Sequence, residues 1–152
     1  MLVADKQKFP KGIKAISDSL HQRGLLFGIY TDRGTKTCGG RPASEGYEAQ
    51  DSKTFASWGV DYIKSDSCNV DRRNFTLEGY QFGLMRDALN KTGRRVYFSL
   101  CSVYIESASI GNSWRIANDI NSWPNTLNAI NCNAGLHDRA RPGAWNDVSF
   151  LL

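Results

Sequence analysis

The 152-residue sequence contains no apolar stretch approaching the ~20 residues that a membrane-spanning helix needs, which argues against a membrane-embedded helix. Its opening, Met1-Leu2-Val3-Ala4-Asp5-Lys6, is too polar for a secretory leader and says nothing about targeting. A sustained run of one charge is also missing. The net charge of +4 comes from basic residues in ones and twos, such as Arg72-Arg73, Arg94-Arg95 and Arg139 with Arg141. Such scattered charge reads as solvated faces, so no nucleic-acid partner and no membrane partner are expected. The four cysteines, Cys38, Cys68, Cys101 and Cys132, show neither a CxxC pair nor a spacing shared with histidine, so no metal is expected. The only two histidines, His21 and His137, lie far in sequence from the polar clusters described below and are expected at the surface or the core edge.

What is present is a globular composition, 41% hydrophobic and 11% aromatic, enough for one ordinary core. Ile13, Ile16 and Leu20 recur at helical spacing and Gly24 follows as a stop. The run Leu25-Leu26-Phe27-Gly28-Ile29-Tyr30 then suits a strand buried on both faces of a parallel sheet. The pattern repeats: a helix over roughly Gln50 to Trp58, Gly59, and a strand over 60–64. A third pass gives a helical face of Leu77, Tyr80, Leu84 and Ala88, then Gly93 and a strand over 95–100. Strand starts about 35 residues apart are the rhythm of βα units. Weaker signals predict a strand at Ser113-Trp114-Arg115, a helix begun by Pro124, and a last strand at Gly143-Ala144-Trp145-Asn146.

Five strands of this kind suit either a doubly wound sheet or part of a barrel. The first usually carries a Gly-rich phosphate turn, and none follows any strand here. Polar residues instead gather just past strand ends: Asp32 and Arg33, Asp66, Cys101 and Ser102, Asp119, Asp147. In a barrel those positions share the catalytic face. Closure takes eight strands and typically about 250 residues, so the expected fold is α/β, a partial (β/α)₈ TIM barrel of about five βα units that does not close. The whole chain, 1–152, is expected to be a fragment of a single (β/α)₈ catalytic domain. Within it, Lys64 and Asp66 stand two apart at a strand end, which points both to one side. A neighbouring ammonium keeps a carboxylate ionised, as a nucleophile requires.

Several motifs occur in order: Gly28-Ile29-Tyr30, Lys36-Thr37-Cys38, Gly46-Tyr47-Glu48, Thr54-Phe55-Ala56-x-Trp58-Gly59-Val60-Asp61 and Lys64-x-Asp66-x-Cys68. Ala88-Leu89-Asn90-Lys91-Thr92-Gly93-Arg94, Trp114-Arg115-x-x-x-Asp119-Ile120 and Pro142-Gly143-Ala144-Trp145-Asn146-Asp147 continue them. From about Val3 to Asp147 the string resembles the α-galactosidases (melibiases) of glycoside hydrolase family 27. The resemblance implies a retaining exo-glycosidase that releases terminal α-galactose by double displacement, with Asp66 as nucleophile and Asp119 as general acid/base. It implies that Arg115 holds the second carboxylate, that Tyr30 and Lys64 line the sugar pocket, and that no metal or organic cofactor is needed. Asp119, protonated as the leaving group departs, is expected in surroundings that favour its neutral form.

Cys38 and Cys68 match a disulfide of the family, and each is expected a few residues past the end of one of two neighbouring strands. Cys101 matches a position often bridged in relatives, but Cys132 does not sit where its partner is expected. The implied partner is an α-galactoside oligosaccharide or glycoconjugate, with a homodimer at full length and a secreted or lysosomal/vacuolar location.

Two departures stand out. Where relatives show Cys-Glu-Trp or Cys-Asn-Trp, this chain has Cys101-Ser102-Val103, so Ser102 occupies a position that contacts the sugar near its 2-position. A serine there resembles the α-N-acetylgalactosaminidase branch. An aspartate that relatives use on the sugar hydroxyls is Ser149 here, and the family's upstream tryptophan and tandem aspartates are absent from the chain. A non-catalytic sugar-binding relative is the third reading. Trp114 and Trp145 are candidates to stack on sugar, whereas Trp58 and Trp123 read as packing residues.

Overall fold

The structure, a computed structural model, describes residues 2–70, 74–102 and 105–148. Five strands, β1 (Gly28–Asp32), β2 (Tyr62–Asp66), β3 (Tyr97–Leu100), β4 (Ser113–Arg115) and β5 (Trp145–Asp147), form one parallel sheet in chain order. The helices α1 (Gly12–His21), α2 (Glu48–Ser57), α3 (Phe75–Lys91) and α4 (Trp123–Ala134) alternate with them. Each strand pairs with the next and β1 does not pair with β5, so the sheet is an open arc of βα units. Among the described residues no helix is long and apolar enough to cross a membrane. Ser149 and Val103, like Arg72 and Arg73, lie outside the described residues.

The first three strands start two or three residues later than the hydropathy pattern predicts, and β1 and β2 also end two residues later. Leu25 and Leu26, 54% and 79% exposed, form the turn leaving α1 rather than the strand. The ladder runs on instead into Thr31-Asp32 and Ser65-Asp66, paired in register as Thr31↔Ser65 and Asp32↔Asp66. A reading by hydropathy ends too early here, because parallel ladders are made by backbone groups and tolerate polar side chains at the strand ends.

One face of the sheet is packed. Ile63, Phe98, Leu100 and Trp114 meet Phe55 of α2 and Phe82, Met85 and Leu89 of α3 in a single buried cluster. Phe82 meets Phe98 edge-on at 6.4 Å. The buried positions of α3 (Glu78, Gln81, Phe82, Met85, Leu89) form one helical stripe, polar toward the strand ends and apolar below. Asn74 caps this helix by accepting from Leu77 N at 2.9 Å, and Ser122 caps α4. The other face corrects the expectation of strands buried on both sides. Tyr30, Tyr62, Tyr97 and Trp145 are 37–47% exposed on it, because an open arc has no opposite wall. Tyr62 and Tyr97 stack on each other at 5.6 Å. Trp123, read as a packing residue, is 69% exposed.

Two cross-links fix the arc. At its base the Asp61 carboxylate accepts from Phe27 N (2.8 Å), His21 Nε2 (2.6 Å) and Arg94 Nη2 (2.7 Å), tying α1 to the lead-ins of three strands. Arg94 also donates to the carbonyls of Gly59 and Val60. Gly59, at φ +75°, lets α1 approach so closely that an added Cβ would stand 2.9 Å from Ser17 Oγ. At the opposite end, Cys38 and Cys68 form a disulfide between the loops after β1 and β2, with Cα atoms 5.0 Å apart.

Closing a loop of 30 residues, this disulfide is expected to contribute about 3–4 kcal/mol by restricting the unfolded chain. Urea unfolding with and without a dithiol reductant should show that difference; equal midpoints would contradict it. For Asp61, partial burial pushes the carboxyl up, but Phe27 N, His21 and Arg94 outweigh it and hold it below the ordinary carboxylate value. A lowered folded value means that the stabilisation is complete above about pH 3.9 and is lost as pH falls through the folded value. Asp61→Asn should therefore lower stability by about 2 kcal/mol at neutral pH and flatten the loss of stability below pH ~4. Melting curves across pH 3 to 7 that run parallel to the parent's would refute a stabilising role for the Asp61 cross-link.

Candidate active site

The strand ends build a cleft of about 830 Å³ lined by residues from β2, the ends of β3 and β4, and the first turn of α3. Lys64, Asp66, Arg115, Asp119, Ser102, Cys38 and Cys68, all expected site residues, border it. Tyr30 joins through its hydroxyl, which donates to Asp66 Oδ2 at 2.7 Å.

Asp66 is the hub. Ser67 N donates to its Oδ1 at 2.9 Å, and Cys38 Sγ lies 3.2 Å from its Oδ2. That sulfur belongs to the disulfide and carries no proton, so it packs against the carboxylate without donating. Burial pushes the Asp66 carboxyl up. Hydrogen bonds from the Cys101 thiol, Tyr30 and Ser67 N, together with the Lys64 ammonium, outweigh burial and leave the group below the ordinary carboxylate value. Burial first, and then the same hydrogen bond, push the Tyr30 phenol strongly up, so it remains a donor at any physiological pH.

The neighbouring carboxylate is shifted the other way. Asp32, fully buried beside Asp66 in the ladder, accepts from Gly34 N (2.9 Å) and Cys68 N (2.8 Å) and so organises both loops. Burial raises its pKa, which those two amides only partly offset. Two carboxyls whose surroundings push them apart adopt different roles: Asp32 shapes the loops and Asp66 faces the cleft as an anion. Ligating atoms of Asp32, Cys38, Asp66 and Cys68 lie within 4.8 Å of one another. The covalent sulfur pair and the amide-bound Asp32 oxygens leave this cluster a structural joint.

Across the cleft, Arg115 is buried and donates through Nη1 to Asp119 Oδ1 at 2.8 Å and through Nη2 to Ala117 O at 3.1 Å. The Asp119 side chain is 81% exposed, so the enclosure expected of a general acid is not supplied by the described residues. Ser102 borders the cleft, but its hydroxyl donates to Glu78 Oε1 and receives a hydrogen bond from Ser107. Glu78, delivered by α3, is a cleft residue that no strand-end pattern reveals. Cys101, expected among the strand-end residues, also lines the cleft, and the pairing of β3 with β2 sets it beside Asp66. Trp114, a candidate for stacking on sugar, is 3% exposed within the core instead. Trp145 lines a separate shallow cleft with Leu26, Tyr62 and Tyr97. His21 sits at the base of the sheet, bonded to Asp61.

The family model described as alpha galactosidase A matches residues 1–152. Alpha-galactosidase 2 of Arabidopsis thaliana is 44% identical over 157 aligned residues, which cover 99% of this chain and 39% of that protein. The crystal structure of α-galactosidase I from Mortierella vinacea superposes with a TM-score of 0.85 at 37% identity, covering 97% of this chain and 44% of that one. An α-galactosidase from Saccharomyces cerevisiae with raffinose gives a TM-score of 0.86 at 32% identity, covering 98% and 40%. The chain thus spans well under half the length of these relatives. With the match covering every residue, and with an open arc of βα units superposing on solved members, this chain belongs to the α-galactosidase family, glycoside hydrolase family 27.

Proposed function

We propose that the protein is a retaining α-galactosidase and that this chain is the site-bearing part of its single (β/α)₈ catalytic domain. The observation that carries the reading is the anionic Asp66, held by Tyr30 and Ser67 in the cleft that Asp119 and Arg115 border on the other side. Asp66 attacks the anomeric carbon of a terminal α-galactoside to form a covalent glycosyl ester. Asp119 protonates the departing glycosidic oxygen, then takes a proton from the water that cleaves the ester. Arg115 orients Asp119. Lys64 and Tyr30 receive sugar hydroxyls beside the reacting carbon. No step calls for a metal or an organic cofactor.

The substrate class is an α-galactoside oligosaccharide or glycoconjugate. The disulfide suits an oxidising compartment, consistent with a secreted or lysosomal/vacuolar protein. A homodimer of the longer protein belongs to the same reading. Ser102 supports a second one, N-acetylgalactosamine as the preferred sugar. Its small side chain, turned to Glu78 and Ser107, leaves room at the position that larger residues fill in relatives. Rates on the two aryl glycosides separate the alternatives, and binding without turnover of either would mark a non-catalytic relative.

In the longer protein, Asp66→Asn is expected to abolish turnover on every substrate. Asp119→Asn should spare mainly aryl galactosides whose leaving groups need no proton. Equal losses on activated and unactivated substrates would overturn the division of roles. This chain alone is expected to show little or no turnover, because its open arc leaves one wall of the cleft missing and Asp119 exposed. The comparison is an assay with an aryl α-galactoside beside a version extended upstream by about 100 residues, toward full barrel length. Comparable rates would show that the site is complete within these residues.

A further inference from the structure

We propose that the free thiol of Cys101 is a positioning residue, donating a hydrogen bond that holds the Asp66 carboxylate from the β3 side. This rests on the reading of Asp66 as nucleophile.

The backbone geometry leaves the thiol little choice of direction. β2 and β3 pair in register through Ser65↔Leu100, so the next position along the ladder sets Cys101 beside Asp66. Cys101 N donates to Ser65 O at 2.9 Å, and Cys101 O accepts from Ser67 Oγ at 3.0 Å. The residue is thereby fastened to both chain neighbours of Asp66. Ser67 is itself fixed by Arg33 Nε at 2.8 Å. Residues paired across a parallel ladder project to the same face, and both Cys101 and Asp66 line the cleft.

Cys101 is not in a disulfide and is half-buried. Tyr30 from β1 and Ser67 N from its own chain donate to the carboxylate, and the ladder sets the Cys101 thiol beside it from β3. Each restricts the rotamer from which Asp66 reaches a substrate carbon. The coupling runs both ways. Burial first, then the hydrogen bond and the charge of Asp66, push the Cys101 thiol up to about 12, so it keeps its proton and remains a donor. Other charged or titratable groups facing Asp66 are Tyr30 and Asp32 from β1, Lys64 on its own strand, Glu78 from α3, and Arg115 and Asp119 across the cleft.

Two measurements test this. In the first, the folded protein is treated with iodoacetamide at pH 9, and alkylation of Cys101 is followed by mass spectrometry, with Cys132, the other free cysteine, as internal reference. Asp66→Asn, which removes the charge that suppresses the thiolate, should speed alkylation of Cys101 by ~10-fold or more and leave Cys132 unchanged. Equal Cys101 rates in parent and variant would overturn the contact. In the second, kcat/KM of the full-length protein is measured against pH. Cys101→Ala should move the acid limb upward by about 0.5 to 1 pH unit, because a carboxylate that loses a donor is harder to ionise. Cys101→Ser, which keeps a donor, should bring the limb back toward the parent. An alanine profile superposable on the parent's would also overturn the proposal, since a packing role lowers the rate without moving the limb. If the full-length protein hydrolyses no glycoside, the proposed activity fails, while the alkylation comparison still decides whether the thiol and Asp66 are coupled.

Discussion

A carboxylate that is half-buried and must nevertheless stay charged sets the terms for this site. Taking Asp66 out of water favours its neutral form, whereas the nucleophilic role proposed for it requires the anion. The fold offsets that cost with donors fixed by elements other than its own side chain: a phenol two positions down the neighbouring strand, the amide of Ser67, a thiol across the next ladder and an ammonium below. The donors from other strands depend on the parallel register, which brings Tyr30 and Asp32 to one side of Asp66 and Cys101 to the other. A slip of one residue would turn every one of these groups to the opposite face.

Behind the cleft the polar groups are tied together rather than left to solvent. Arg33, 3% exposed, donates to Ser67, Gln81 and Glu78 and lies over the Phe82 ring at 5.6 Å. Gln81 reaches on to Glu45, and Glu78 to Ser102. A buried guanidinium is costly unless its donors are matched, and here α3 supplies the partners on the polar half of its inward stripe. The network thus joins a helix to the loops on which Ser67 and Ser102 stand. Asp119 lacks such support. Among the described residues its carboxylate is bonded to Arg115, and the side chain is 81% exposed.

Much of this was written in the sequence by itself. The βα rhythm follows from apolar periodicity punctuated by Gly24, Gly59 and Gly93, each at a positive φ near +73° that ends a helix without strain. Period two along a strand gave Lys64 and Asp66 a common side, and the ordered motifs carried the family and the disulfide. Tertiary structure decided the rest, because those facts depend on residues far apart in the chain. Strand limits moved into polar residues since the ladder is bonded through the backbone. Trp114 went into the core because β4 presents it to the helix layer, and Ser102 turned to Glu78 because α3 delivers a carboxylate there. That Cys101 stands beside Asp66 on the next strand, and that Asp32 and Asp66 are shifted in opposite directions, follows from which strand lies beside which. Local sequence records composition and period; only the register between strands determines which charges share a dielectric environment and which donors they meet.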